Sequence, residues 1–173
     1  MRVYFDQDGV LTIWKSTGGA EHLFEEGFFG NLLPNICVLD AVEELLRRGI
    51  PTHCLSKYEP RSRYALREKT DWLERHLPSL PAEKMLFCPG NLSKADYLLL
   101  HTGEERLSKS DILIDDFTPN LQDWEQHGGT GLKLMNGFNG TKGTWRGVRV
   151  TDSNSEVIVD TILKMGEEGG RGK

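Results

Sequence analysis

The chain has 173 residues, 21 Lys and Arg against 26 Asp and Glu, a formal charge of −5, and 38% apolar residues. This length suits one domain that buries a core without disulfides or a structural metal. The acidic balance speaks against a dedicated nucleic-acid or anionic-membrane binder, which would carry a basic surface, and no apolar run approaches the ~20 residues of a membrane span.

Taken in chain order, Arg2-Val-Tyr-Phe-Asp6 is β-rich and runs into the turn signal Asp8-Gly9, which predicts a strand and then a loop, with no signal peptide before it. Residues 12–36 hold Gly18-Gly19, Gly27-Phe28-Phe29-Gly30 and Pro34 without a clean period, and are expected to form an inserted excursion. From Val38 the apolar residues Val38, Ala41, Val42, Leu45 and Leu46 share one helical face, with Arg47-Arg48 in the last turn and Gly49 beyond it. Residues 50–55 read as a strand ending at Ser56. Pro60 is expected to open a helix carrying Tyr64, Trp72, Leu73 and Leu77.

Residues 84–88 predict a short strand, and Asp111-Ile-Leu-Ile-Asp115 a buried parallel one. Thr118-Pro119 reads as an N-cap with Pro at the first helical position, the helix ending at Gly128-Gly129. A further strand follows over 131–135, and Ser153-x-x-Glu156 reads as a capping box opening a last helix. Residues 166–173 are expected to be a flexible tail. The expected organisation is therefore one α/β domain over 1–165, a Rossmann-like parallel sheet flanked by helices, with the small insertion at about 12–36.

Cys37, Cys54 and Cys88 form no CxxC pair, and the five histidines show no HxxxH or HExxH spacing. Reduced thiols in the cytoplasm are expected, and a zinc site is not.

In open α/β sheets ligands gather outside the carboxyl ends of the strands. Asp6, Ser56 and Asp115-Asp116 each lie at such an end, so distant parts of the chain deliver carboxylates and a hydroxyl to one edge. Four acidic groups, Asp6, Asp8, Asp115 and Asp116, would raise one another's pKa unless a cation sits among them. Mg²⁺, which takes hard oxygen ligands, is the natural one. A carboxylate can act as nucleophile toward phosphorus, and a second can exchange the proton. Ser56 could bind a phosphate oxygen. A lysine would neutralise transition-state charge; Lys94 is the candidate, with Lys109 and Lys57 as competitors.

The set Asp6-x-Asp8-Gly-Val-Leu, Ser56 after a strand, a downstream lysine and Ile-Leu-Ile-Asp115-Asp116 resembles the four motifs of the haloacid dehalogenase (HAD) superfamily of phosphohydrolases. Gly27-Phe28-Phe29, Leu32-x-Pro34, Leu39-Asp40-Ala41-Val42 and Asp115-Asp116-Phe117-Thr118-x-Asn120 are similar to its 5'(3')-deoxyribonucleotidase-like branch. The resemblance spans roughly residues 1–150. It implies Asp6 as the nucleophile, Asp8 as acid/base with its backbone carbonyl on Mg²⁺, Ser56 as the phosphate-binding hydroxyl and Asp116 as a metal ligand. Asp115 would support the metal's waters or ligate in its place, and Lys94 would be the phosphate-binding lysine.

The implied activity is Mg²⁺-dependent release of phosphate from nucleoside monophosphates through an aspartyl-phosphate. The alternatives are nucleic-acid ends, sugar phosphates, or a binding protein that keeps the acidic pocket. The substrate partner is a phosphorylated small molecule; neither membrane nor nucleic acid is expected. The short insertion leaves the site open or recruits a second subunit as a lid, giving a homodimer. Trp14, Phe28 and Phe29 could stack on a base, with packing preferred for at least one of the phenylalanines. The glycine-rich 137–143 segment lacks GxxxxGK[ST] and reads as a turn. Arg61, Arg63 and Arg67 read as a solvated helix face.

Overall fold

A computed structural model describes residues 1–14, 20–140 and 143–170. Within the excursion Lys15–Gly19, within the glycine-rich segment Thr141 and Lys142, and within the tail 171–173 lie outside the described residues.

The strands are β1 (Arg2–Phe5), β2 (Thr12–Ile13), β3 (Leu33–Pro34), β4 (Thr52–Tyr58), β5 (Met85–Pro89), β6 (Asp111–Asp115), β7 (Thr130–Met135) and β8 (Arg149–Thr151). The helices are α1 (Ile36–Arg47), α2 (Ala65–His76), α3 (Lys94–Thr102), α4 (Thr118–Gln126) and α5 (Ser155–Gly170). Six strands form one sheet in the order β5-β4-β1-β6-β7-β8, every pair parallel. The short β2 and β3 pair antiparallel and bracket the excursion at its base.

The period-2 rule assigns the two faces. Val3, Phe5, Ile112 and Ile114 pack with α1, α2 and α5 residues such as Val42, Leu45, Trp72, Leu73, Ile158 and Ile162. The intervening Tyr4, Leu55 and Leu113 pack on the other face with Leu98 of α3 and Leu121 and Trp124 of α4. Burial on both faces is why Val3–Phe5 of β1 and Ile112–Ile114 of β6 are continuous apolar runs rather than alternating. Central β1, register-paired with β4 (Phe5↔Cys54) and β6 (Phe5↔Ile114), brings Asp6 beside the ends of both neighbours.

Several helix starts differ from expectation. Pro60 does not open α2, which begins at Ala65; Ser62 Oγ accepts from Ala65 N at 3.2 Å. Helix α4 starts at Thr118 with Phe117 as its cap, one residue from the expected arrangement. In front of α5 the capping side chain is Asn154, not Ser153: its Oδ1 accepts from Glu156 N (2.9 Å) and Val157 N (3.3 Å). Helix α3 and edge strand β8 were not anticipated. Ser93 caps α3, its Oγ accepting from Asp96 N at 3.0 Å.

The expected tail is helical as far as Gly170. Its glycines permit close docking: a Cβ on Gly166 would strike Met1, and one on Gly169 would lie 2.8 Å from the Lys109 carbonyl oxygen. Burial of Met165 anchors the same turn. All three cysteines are free, Cys54 and Cys88 buried and Cys37 half-buried. No helix among the described residues is long and apolar enough to cross a membrane.

Candidate active site

The chain leaves β1 at Asp6 and turns sharply over Gln7–Leu11, with Gly9 at φ +77°. This glycine is required twice over. The left-handed region disfavours a Cβ, and a Cβ there would sit 2.3 Å from Asp116 Oδ2. Gly9 O also accepts from Asn136 Nδ2 at 2.6 Å, so the turn is tied to the loop after β7.

Asp6, Asp115 and Asp116 are all buried and offer carboxylate oxygens that lie within 4.8 Å of one another. Lys94, the first residue of α3, bridges two of them: its Nζ donates to Asp115 Oδ2 at 2.6 Å and lies 2.8 Å from Asp6 Oδ1. Asp115 accepts two further hydrogen bonds, at Oδ1 from Phe117 N (2.8 Å) and at Oδ2 from Asn120 Nδ2 (2.9 Å), so both its oxygens are engaged. Asp116 Oδ2 accepts from Asn136 and Asn139, both at 2.8 Å. Buried Lys133 donates to the Asp116 carbonyl oxygen and, at 3.2 Å, to Thr118 Oγ1.

Asp8 points elsewhere. Its Oδ2 accepts from Lys69 Nζ at 2.5 Å, and the same ammonium donates to Ser56 Oγ at 3.0 Å. Ser56 is fully buried and lies inside β4, which continues to Tyr58 rather than stopping at the serine. Because Lys69 occupies a lone pair of Oγ, the serine hydroxyl hydrogen is directed to another acceptor, here the Lys57 carbonyl oxygen in a long contact of 3.4 Å.

Electrostatics follow from this crowding. Burial, reinforced by Asp115 and Asp8 and opposed by Lys94, pushes Asp6 up to about 7. Burial and the Asp115 charge push Asp116 up to about 6, against the donated hydrogen bonds of Asn139 and Asn136. Burial works against the Lys94 charge, but Asp115 and Asp6 outweigh it and its pKa rises. The four carboxylates face three fully buried lysines, Lys69, Lys94 and Lys133, leaving one formal negative charge. A divalent cation would make the site net positive, as an incoming phosphate dianion requires. The hard, clustered oxygens of Asp6 and Asp116 fit Mg²⁺, whereas Asp115, with its oxygens already hydrogen-bonded, is suited to supporting the cluster.

Of the sequence-selected residues, Asp6, Lys94, Asp115 and Asp116 form one cluster at the sheet edge, while Asp8 and Ser56 are joined to each other through Lys69 beside it. Lys109 does not reach it. It precedes β6, at the opposite end of the strand from Asp115, and its carbonyl accepts from Thr130 Oγ1 at 2.7 Å. Lys57 follows Ser56 in β4 and so projects to the other face. Phe29 is buried against Leu32 and Ala65, while half-buried Phe28 makes edge-to-face contact with Trp14, the ring centroids 5.4 Å apart.

Sequence reasoning missed Lys69, Lys133, Asn136 and Asn139. Lys69 had a signal: with Ala65, Trp72, Leu73 and His76 it lies on the apolar face of a helical wheel, where an ammonium needs a partner. Lys133 likewise interrupts a buried strand, Gly131 to Leu134. Asn136 sits just before the glycine-rich turn, and its Oδ1 accepts from Phe138 N and Asn139 N. That hydrogen bonding turns the loop back on Asp116, a consequence invisible in composition.

Comparison with known structures agrees on the fold. D,D-heptose 1,7-bisphosphate phosphatase from B. bronchiseptica, solved with magnesium and phosphate, superposes with TM-score 0.67 at 14% identity, covering 95% of this chain and 99% of that one. A putative HAD-like phosphatase from Mesorhizobium loti gives 0.60 at 15% identity (97% and 87% covered). A HAD-superfamily hydrolase from Ehrlichia chaffeensis gives 0.57 at 13% (95% and 96%). No curated protein sequence matches significantly. The family model of the 5' nucleotidase, deoxy (pyrimidine), cytosolic type C protein matches residues 17–159, beginning after Asp6 and Asp8 yet spanning Ser56, Lys94, Asp115 and Asp116. The architecture and this match place the chain in that family of HAD-fold phosphoric monoester hydrolases.

Proposed function

We propose that the protein is a Mg²⁺-dependent phosphomonoesterase that releases phosphate from nucleoside monophosphates through an aspartyl-phosphate at Asp6. The observation that carries this reading is the buried Lys94 ammonium bridging Asp6 and Asp115 beside Asp116. That arrangement pairs an anionic nucleophile with a cation for the charge that develops on phosphorus.

Asp6 and Asp116, with the Asp8 backbone carbonyl, would hold Mg²⁺, and Asp115 would support it. When bound, the ion supplies charge neutralisation at the phosphate oxygens. An Asp6 carboxylate oxygen attacks phosphorus, and the P–O ester bond breaks. The leaving oxygen takes a proton from the Asp8 carboxyl. In the second half Asp8 takes a proton from water as the water oxygen attacks phosphorus, the Asp6–phosphorus bond breaks, and Asp6 returns to carboxylate. Ser56 donates its hydroxyl hydrogen to a phosphate oxygen, and Lys94 holds a second one.

The nucleotide preference draws support from the family match and from the Trp14–Phe28 edge-to-face pair, an aromatic surface on the excursion against which a base can stack. Free cysteines suit a reducing, cytoplasmic setting.

The test is phosphate release from a panel of deoxy- and ribonucleoside monophosphates and sugar phosphates, with Mg²⁺ or EDTA. Metal-dependent release, fastest on the nucleotides, is the expected outcome. Faster release from the sugar phosphates would overturn the nucleotide assignment, and no release from any monoester would overturn the phosphatase reading.

A further inference from the structure

Helix α2 enters the site through two consecutive residues that the scheme above does not use. Glu68 is 6% exposed and accepts three backbone N–H groups of the excursion: Gly27 N at 2.6 Å, Phe29 N at 3.0 Å and Gly30 N at 3.1 Å. One residue on, Lys69 is completely buried. Its ammonium contacts Asp8 Oδ2 and Ser56 Oγ and lies 4.5 Å from the centroid of the Phe29 ring.

Burying an ammonium on the apolar face of a helix is costly, and an apolar residue of similar volume would pack there without that cost. The charge therefore points to a task. A second observation says which. Asp8 Oδ1 is buried and has no hydrogen-bond partner among the described residues, so the carboxylate is gripped by one oxygen with the other left for proton exchange.

We infer that Lys69 is a positioning residue for the acid/base: by holding Asp8 Oδ2 it aims Oδ1 at the leaving oxygen, while Glu68 ties the same helix to the excursion loop. The inference rests on the role given to Asp8 above. As the ester P–O bond breaks, its electron pair goes to the leaving oxygen, and the proton on Asp8 Oδ1 follows it. An alkoxide leaving group needs that proton, whereas p-nitrophenolate is stable at neutral pH and departs without it.

The test is therefore the ratio of kcat for p-nitrophenyl phosphate to kcat for thymidine 5'-monophosphate, with Mg²⁺, in wild type, Lys69→Met and Lys69→Gln. Both substrates meet the same preparation, so an unfolded fraction cancels from the ratio. Loss of an aimed proton donor should raise the ratio about tenfold or more in Lys69→Met. Lys69→Gln, which keeps a donor for Asp8, should fall between. Equal losses on both substrates would make Lys69 a phosphate contact or a packing residue and overturn the inference alone. Wild type inactive on p-nitrophenyl phosphate as well would overturn the phosphatase reading and this inference together.

Discussion

Replacing Lys94 by Met keeps the side-chain volume and removes one charge from a buried triad. Lys94 is 1% exposed, with Asp6 Oδ1 at 2.8 Å and Asp115 Oδ2 at 2.6 Å. Removing one partner of a buried ion pair leaves an uncompensated charge and costs about 3–5 kcal/mol. For a chain of this size each kcal/mol shifts Tm by roughly 2–4 °C, so Lys94→Met should melt about 6–20 °C lower in EDTA at pH 8.

The deficit has a pH signature. Without Lys94 the Asp6 pKa rises further above its value of about 7, and protonation at pH 5 removes the stranded charge. The difference from wild type should then shrink at pH 5, where the Asp115 pairing is the main loss. Thermal melting by circular dichroism at both pH values reads this directly. In the proposed chemistry the same variant should lose at least about 10²-fold in kcat, the range seen on removing a preorganised donor. A deficit equal at pH 5 and pH 8, or under about 2 °C at pH 8, would refute the assignment of Lys94 to the charge balance of the site.

Three further outcomes follow from the same geometry. Asp6 and Asp116 are raised to about 7 and about 6, so between pH ~4 and ~7 the folded chain holds protons the unfolded chain has released. In EDTA stability should therefore fall as pH rises through that window, and Mg²⁺ should raise Tm more at pH 8 than at pH 5; a flat or rising Tm in EDTA would contradict the shifts. Gly9→Ala forces a Cβ into the left-handed region, a cost of about 1–2 kcal/mol, and against Asp116 Oδ2. It should weaken Mg²⁺-dependent stabilisation measured by melting, and unchanged stabilisation would show that Asp116 can retreat freely. Lys109→Ala, at the far edge of the sheet, should leave phosphate release at the wild-type rate.

What the sequence showed and what it hid divide along physical lines. Asp6 and Asp115-Asp116 were legible because each follows a short apolar run, and a parallel sheet delivers its strand ends to one edge; Ser56 reaches that edge from inside β4, two residues before the strand ends. The same logic favours Lys94 over Lys109, although nothing in the strand pattern indicates that Lys94 opens α3. The Ser93-x-x-Asp96 pattern that starts the helix was there to be read. Asn154, by contrast, competes with Ser153 for the same cap, and only backbone geometry decides between them. Lys69, Lys133, Asn136 and Asn139 stayed hidden because their roles arise from tertiary contacts at sequence separations of 13 to 127 residues. The helical start of the expected tail depended on Gly166 and Gly169 docking on Met1 and Lys109, a close approach that composition reads as looseness.

If Asp6 carries the phosphoryl group, the covalent intermediate can be trapped on it. The most direct measurement is to quench the enzyme during turnover with Mg²⁺ and a nucleoside monophosphate, reduce it with borohydride, and map the peptides by mass spectrometry. An aspartyl-phosphate is reduced to homoserine, so homoserine is expected at position 6 and none there in Asp6→Asn. Sustained phosphate release with position 6 remaining aspartate, or undiminished release by Asp6→Asn, would contradict it.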